Sequence, residues 1–183
     1  MLRITIPAHE FWDEQNQVFI QVKGQTLQLE HSLVSLSKWE SKWHKSFLKH
    51  PDKPFEETVD YIRCMTITQN VDPNVYLCLT NGNIADVNRY IADTMTATYL
   101  SDDGSAEGKS KDVVTAELIY YWMIAFNIPF ECQKWHLNRL LTLIRVCEMK
   151  TRSGKHTKRN PKDIIRRNRA LNAYNRKRFN SRG

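Results

Sequence analysis

Several things are scarce in this sequence, and each absence removes a class of protein. It contains no G-x-x-x-x-G-K-[ST] phosphate loop, no G-x-G-x-x-G, no G-x-S-x-G and no H-E-x-x-H. The common nucleotide-binding, hydrolase and metalloprotease signatures are therefore missing. No apolar run approaches the roughly 20 residues that a membrane-spanning helix needs. The four cysteines, Cys64, Cys78, Cys132 and Cys147, are scattered, and no two have the spacing of a zinc knuckle. Each sits in an apolar stretch, where a free thiol behaves as a small hydrophobe. Cys132 and His136 are four apart and would share a helix face, but a metal would need two further ligands from elsewhere in the chain. No metal, cofactor or catalytic constellation is expected. The opening M-L-R-I-T-I-P reads as a strand rather than a signal peptide. Together these readings predict a reduced, soluble protein of the cytoplasm.

What is present is an uneven distribution of charge. The 183 residues carry a formal net charge of +7. The segment Lys150 to Gly183 holds thirteen Lys and Arg against one acid, Asp163, a net +12; the preceding 149 residues are net −5. A mildly acidic body with a strongly basic tail points to a polyanion or an acidic protein face as partner, or to a tail that simply keeps the protein soluble. The domain division expected is 1–149, a globular helical domain, and 150–183, a basic tail that is partly disordered or helical.

The stretch from Thr115 to Lys150 is the strongest structural signal. From about Val113 to Asn127 it is apolar nearly all round, with Leu118, Ile119, Trp122, Met123 and Phe126 at helical steps. A helix apolar on every side is expected in the middle of a fold. Pro129 should end it. A second, amphipathic helix is expected from Phe130 to Met149, with Trp135, Leu137, Leu140, Leu141, Ile144 and Cys147 inward and Lys134, Arg139 and Arg145 outward. The pair reads as a central buried helical hairpin. Glu117, in the first arm, would then need a buried partner such as Tyr120, Tyr121, Arg139 or Arg145.

Ahead of it, Leu2–Ile6, Gln17–Val22 and Thr26–Leu29 alternate as strands, with Lys23-Gly24-Gln25 as a hairpin turn. A first helix is expected near Ser35 or Ser37, with Ser37 to Glu40 as a capping box and Leu36, Trp39, Trp43 and Phe47 on its core face. His50 to Pro54 breaks the chain. Pro54 then opens a helix bearing Phe55, Val59, Ile62 and Met65. Asp72-Pro73 starts a short helix through Val75 and Leu79. Asn81-Gly82-Asn83 reads as a turn, followed by a helix on Ile84, Val87, Tyr90 and Ile91. Met95–Leu100 reads as a short strand and Ser101–Lys111 as an exposed mobile loop. Thr151 to Asn160 reads as a basic linker before a last, partly formed helix from Lys162 to about Phe179, with a thin stripe of Ile164, Ile165, Leu171 and Tyr174. The fold class expected is mainly α with a small N-terminal antiparallel β-sheet (α+β), with a basic C-terminal helical tail.

The tail supplies the clearest chemistry. Lys158, Arg159, Lys162, Arg166, Arg167, Arg169, Arg176, Lys177 and Arg178 form clusters suited to phosphates or carboxylates. Nucleic-acid backbone and an acidic protein helix fit them equally. Tyr174 and Phe179 are too few to indicate base stacking.

Four stretches taken together resemble a known protein type: L-E-H-S-L-V-S-L-S-K-W-E-S-K-W (Leu29 to Trp43), D-Y-I-R-C-M (Asp60 to Met65), the whole run from Thr115 to Cys147, and R-A-L-N-A-Y-N-R-K-R (Arg169 to Arg178). They resemble a protein encoded in the tail-gene region of tailed bacteriophages, of the tail assembly chaperone type. The resemblance covers most of the chain except Ser101–Lys111. It implies a non-enzymatic protein that binds the long, helical tape measure protein during tail assembly, keeps it soluble and helps recruit tail tube subunits. Such proteins are absent from the finished virion, act in the host cell cytoplasm, and are often made in two lengths by a programmed frameshift. The type has no catalytic residues to carry over. The alternatives from the same sequence are a structural head–tail connector or tail-completion protein of the virion, and a nucleic-acid-binding protein acting through its tail.

Overall fold

The structure is a computed structural model. It describes residues 1–14, 17–50, 52–98, 113–155, 165–166 and 168–172. The described residues fall into two units, Met1–Ile144 and Arg145–Gly183. The fold is mainly helical with antiparallel strand pairs at the N-terminus.

Four strands, β1 (Leu2–Ile6), β2 (His9–Asp13), β3 (Val18–Val22) and β4 (Gln25–Leu29), form two antiparallel pairs, β1 with β4 and β2 with β3. Leu2 lies opposite Leu29, Ile6 opposite Gln25, His9 opposite Val22 and Asp13 opposite Val18. The register is continuous, so this is one long ribbon interrupted at Pro7-Ala8 and Lys23-Gly24. The turn expected at Lys23-Gly24-Gln25 is therefore not a turn; the chain reverses beyond Asp13, and β2 had no counterpart in the sequence reading. Gly24 has a different task. A Cβ there would meet the Ala8 amide nitrogen at 3.0 Å and the Ile6 carbonyl oxygen at 3.3 Å, so glycine permits close backbone approach at the interruption. Ile4, Ile6, Val22, Leu27 and Leu29 turn into the core. The other edge of β4 is covered after the second helix: Ile67 N–H donates to the Gln28 carbonyl, Glu30 N–H to the Met65 carbonyl, and Gln28 N–H to Thr68 Oγ1.

Helix α1 (Leu33–Trp43) starts at Ser32, not at Ser37. Ser32 Oγ accepts from the Ser35 amide while Ser35 Oγ accepts from the Ser32 amide, a reciprocal cap. It ends at His44, whose left-handed backbone (φ 52°) turns its N–H back to the Glu40 carbonyl. Leu33, Leu36 and Trp39 are fully buried, and the Trp39 indole N–H donates to the Glu57 carbonyl at 3.0 Å. Phe47 returns to the core beyond the helix end, with its ring 5.2 Å from Trp39 and 3.9 Å from Tyr61.

Helix α2 (Phe55–Met65) buries Glu57, Asp60 and Tyr61 with Ile62 and Met65. Phe55 is exposed and Val59 half-buried, so the inner face is rotated from the one expected. The reason is pairing: Asp60 accepts from the Trp43 indole N–H and the Lys42 ammonium, and Glu57 from Lys45. Paired carboxylates can occupy a core-facing position that the hydrophobic pattern alone assigns elsewhere.

A 3₁₀ turn, Pro73–Cys78, follows with Asp72 as its cap, as its Asp-Pro start suggests. Helix α3 (Asn81–Ala92) begins at Asn81-Gly82-Asn83; this is its first turn, because Thr80 and Asn83 cap it reciprocally. Met95 to Thr98 form no strand; Tyr99 and Leu100, and the Ser101–Lys111 segment read as a mobile loop, lie outside the described residues. Helix α4 (Ala116–Ala125) is followed by Asn127 in the left-handed conformation (φ 52°), a 3₁₀ turn at Phe130–Lys134 and helix α5 (Leu137–Lys155). The single helix expected over Phe130–Met149 is thus broken at Trp135-His136, where Ser32 and His136 form a β-bridge and Leu137 N–H donates to the His31 carbonyl. Leu137, Leu140 and Ile144 are buried, while Lys134, Arg139 and Arg145 are exposed as expected. The helix continues through Lys155 where a linker was expected from Thr151.

Candidate functional site: an uncovered helix face

Helix α4 packs mainly against α1, and two side chains near α1 hold its start. Glu40 Oε2 accepts from the Ala116 amide at 2.7 Å, and its other oxygen accepts from the Phe47 amide at 2.9 Å. A carboxylate at a helix N-terminus satisfies an unpaired amide and faces the positive end of the helix dipole. Burial lifts the Glu40 carboxyl above its ordinary range, and the two amide donors oppose that rise. Ser46 Oγ donates to the Val114 carbonyl at 2.7 Å, fixing the residues leading in. At the far end Ile128 N–H returns to the Met123 carbonyl, and the Tyr120 hydroxyl donates to Gln133 Oε1 at 2.9 Å.

So anchored, α4 buries only Ala116, Ile119 and Met123. This corrects the expectation of a centrally buried arm. Glu117, Tyr121, Ile124 and Ala125 are exposed along the opposite side at helical spacing, with Tyr121 at 63% and Ile124 at 61%. Glu117 thus faces solvent and needs no buried partner. Phe130, in the following turn, is 54% exposed. A helix whose sequence is apolar all round but whose fold covers one side presents apolar surface to whatever comes next.

Beneath the first unit's helices lies a buried polar group that no motif announced. His31 Nδ1 and the Tyr61 hydroxyl share a 2.5 Å hydrogen bond, and the His31 and His136 rings stand 5.0 Å apart, edge to face. His136 Nε2 donates to the Tyr90 carbonyl at 3.0 Å, and the Tyr90 hydroxyl donates to Glu30 at 2.6 Å. Burial, reinforced by His136 and Lys53, holds His31 down to about 3; burial also lowers His136. Both rings are therefore neutral at pH 7. The arrangement joins the end of the ribbon to α2, α3 and the start of α5. No local pattern in the sequence marks His31.

The sequence-predicted tail residues are only partly placed. Arg166 and Arg169 are helical and exposed. Lys158, Arg159, Lys162, Arg167, Arg176, Lys177 and Arg178 lie outside the described residues. Cys132 sits in the 3₁₀ turn and His136 in the bridge after it, so they share no helix face; no group of three metal-ligating side chains occurs among the described residues. Among those residues no helix is long and apolar enough to cross a membrane. No protein-family model, curated protein or solved structure matches this chain.

Proposed function

We propose that this is a protein-binding module of the phage tail assembly chaperone type, which holds the tape measure protein during tail morphogenesis. The observation that supports this reading is the α4 face. Tyr121, Ile124 and Ala125 form an apolar stripe beside Glu117, and an amphipathic partner helix is the usual occupant of such a surface. The tape measure protein is long and helical in the phage type that this sequence resembles. The reading is non-enzymatic, places the protein in the host cell cytoplasm, and gives tail tube protein as a second partner.

Co-expression of the full chain with the tape measure protein of the same phage tests it. The chain is expected to raise that protein's soluble fraction and to co-elute with it in size exclusion. The double variant Tyr121→Ser, Ile124→Ser should lose both effects while remaining folded. Absence of any effect from the unaltered chain would count against the chaperone reading.

A second reading rests on the exposed Arg166 and Arg169: binding of nucleic acid through the basic tail. It requires affinity that drops steeply with salt and vanishes when the chain is cut after Met149. A virion connector, the third reading, requires the protein to be present in purified particles.

A further inference from the structure

The far half of the N-terminal ribbon differs from the half that joins the core. Strand β1 is covered on its outer side by α3, where the Asn83 amide donates to the Thr5 carbonyl at 3.4 Å. The outer edge of β4 is covered by residues 65–68, and the 3₁₀ turn Pro73–Cys78 packs against β3. Strand β2 has β3 as its one strand neighbour. Among the described residues no backbone hydrogen bond from another segment reaches its outer edge. A two-stranded ribbon is marginal by itself, and an unpaired edge is a template for another strand.

This end of the ribbon also exposes apolar surface. Trp12 and Phe19 lie opposite each other on one face, 48% and 66% exposed, with ring centres 4.8 Å apart. On the other face Val18 is exposed, and Phe11 and Ile20 are half-buried. Lysine and proline commonly protect a strand edge, and β2 (HEFWD) has neither.

The sequence of β2 selects the occupant. A strand that pairs antiparallel with its own copy, about a twofold axis perpendicular to the sheet, is centred on one of its residues, and each side chain keeps its face. Centring on Glu10 or Asp13 opposes a carboxylate to itself, and centring on Trp12 opposes Glu10 to Glu14. Centring on His9 brings Pro7, which has no amide to donate, opposite Phe11. Centring on Phe11 opposes Phe11 to Phe11, Glu10 to Trp12 and His9 to Asp13, and no like charges meet. Like charges directly opposite destabilise a strand pair, whereas aromatic and opposite-charge pairs support it.

We propose that the chain forms a twofold dimer through the outer edges of β2, centred on Phe11, which joins two ribbons into one four-stranded sheet in the order β3-β2-β2-β3. Trp12 of each copy then lies beside Glu10 of the other. Five residues a side make a small interface, so dimerisation is a concentration-dependent equilibrium. It does not involve the α4 face and stands or falls without it.

Sedimentation velocity of the full-length protein, from about 1 to about 200 µM, tests the proposal. The mass should rise from that of one chain to that of two and stop there, because a twofold pairing closes on itself. Trp12→Glu sets like charges opposite at Glu10, and His9→Asp does so at Asp13. Symmetry repeats each clash, so each variant should weaken dimerisation by about tenfold or more. His9→Lys puts a fixed positive charge opposite Asp13 and should tighten it several-fold. His9 is exposed, so both of its variants should keep the circular dichroism and melting temperature of the unaltered chain, and they test the register independently of any effect of Trp12→Glu on the ribbon. A chain that is monomeric throughout, a mass that grows past two copies, or a dimer that Trp12→Glu and His9→Asp leave at full strength would each overturn the proposal. A monomer that co-sediments with phosphatidylcholine vesicles would overturn it too, and would assign the Trp12 and Phe19 surface to a lipid face.

Discussion

Glu40 on helix α1 reaches the amide of Ala116 across 2.7 Å and caps a helix that begins 76 residues later in the chain. Its second oxygen takes the Phe47 amide at 2.9 Å, so one carboxylate serves two separate segments. Glu40→Ala leaves both buried amides unsatisfied and is expected to cost about 1–3 kcal/mol. Glu40→Gln keeps an acceptor and should cost less. The sign with pH follows from the raised carboxyl. Its contribution is complete below the ordinary value of 4.5 and declines as pH rises through the folded value. Urea titrations of the three proteins at pH 4 and pH 7 measure both effects.

The buried histidines predict acid sensitivity. His31 has an ordinary pKa of 6.5 and a folded one of about 3. Between those values the unfolded chain takes up a proton that the folded chain does not, so stability is complete above about pH 6.5 and falls as pH falls. The slope is about 1.4 kcal/mol per pH unit, or about 2 kcal/mol from pH 6.5 to pH 5. His136 is lowered as well and adds in the same direction. His31→Asn retains an acceptor for the Tyr61 hydroxyl. It should lower stability at pH 7 yet flatten the decline between pH 6.5 and pH 5, as read by chemical denaturation at each pH.

The ribbon tests the reading of Gly24. A methyl group at that position meets backbone atoms of Ala8 and Ile6 rather than a side chain that can move aside. Gly24→Ala should therefore destabilise, by about 1–3 kcal/mol, the range typical of overpacking. Were Gly24 in an open turn, alanine would be neutral. Thermal melts distinguish the two, and amide exchange should show the loss concentrated in β1 and β4.

The α4 face predicts a separation of stability from binding. Tyr121 and Ile124 are more than half exposed, so their replacement by serine should change stability by no more than about 0.5 kcal/mol. Ile119 and Met123 lie on the covered side of the same helix with no exposure. Ile119→Ala should cost about 2–5 kcal/mol. Melting curves of the single variants establish which side of the helix the fold uses. Partner capture by the serine variants then reads the uncovered side alone.

Much of the local architecture was legible in the sequence because local signals are short-range. Asp72-Pro73 marks a 3₁₀ turn, Pro54 precedes α2, and Leu137, Leu140 and Ile144 mark the inner face of α5. Errors arose where two local signals competed. Asn81-Gly82-Asn83 resembles a turn, but Thr80 and Asn83 exchange hydrogen bonds and convert it into a helix start. Ser37 to Glu40 has the spacing of a capping box, yet Ser32 caps α1 with Ser35, freeing Glu40 for a distant amide. The candidate site was legible only as composition. That Val113 to Asn127 is apolar all round was evident; that its tertiary neighbours cover only one side was not.

The sequence by itself determined the mainly helical character with antiparallel strands at the N-terminus, the positions of most helices, and the contrast between an acidic body and a basic tail. These depend on periodicity, capping and charge, which are properties of neighbouring residues. Only the tertiary structure decided that His31 meets Tyr61, that Glu40 caps α4, that Lys53 stands over Phe47, and that Tyr121 and Ile124 are left in solvent. Each joins or separates residues by the packing of whole elements. Burial is a property of what lies opposite a side chain, and hydrophobicity along the chain does not encode it.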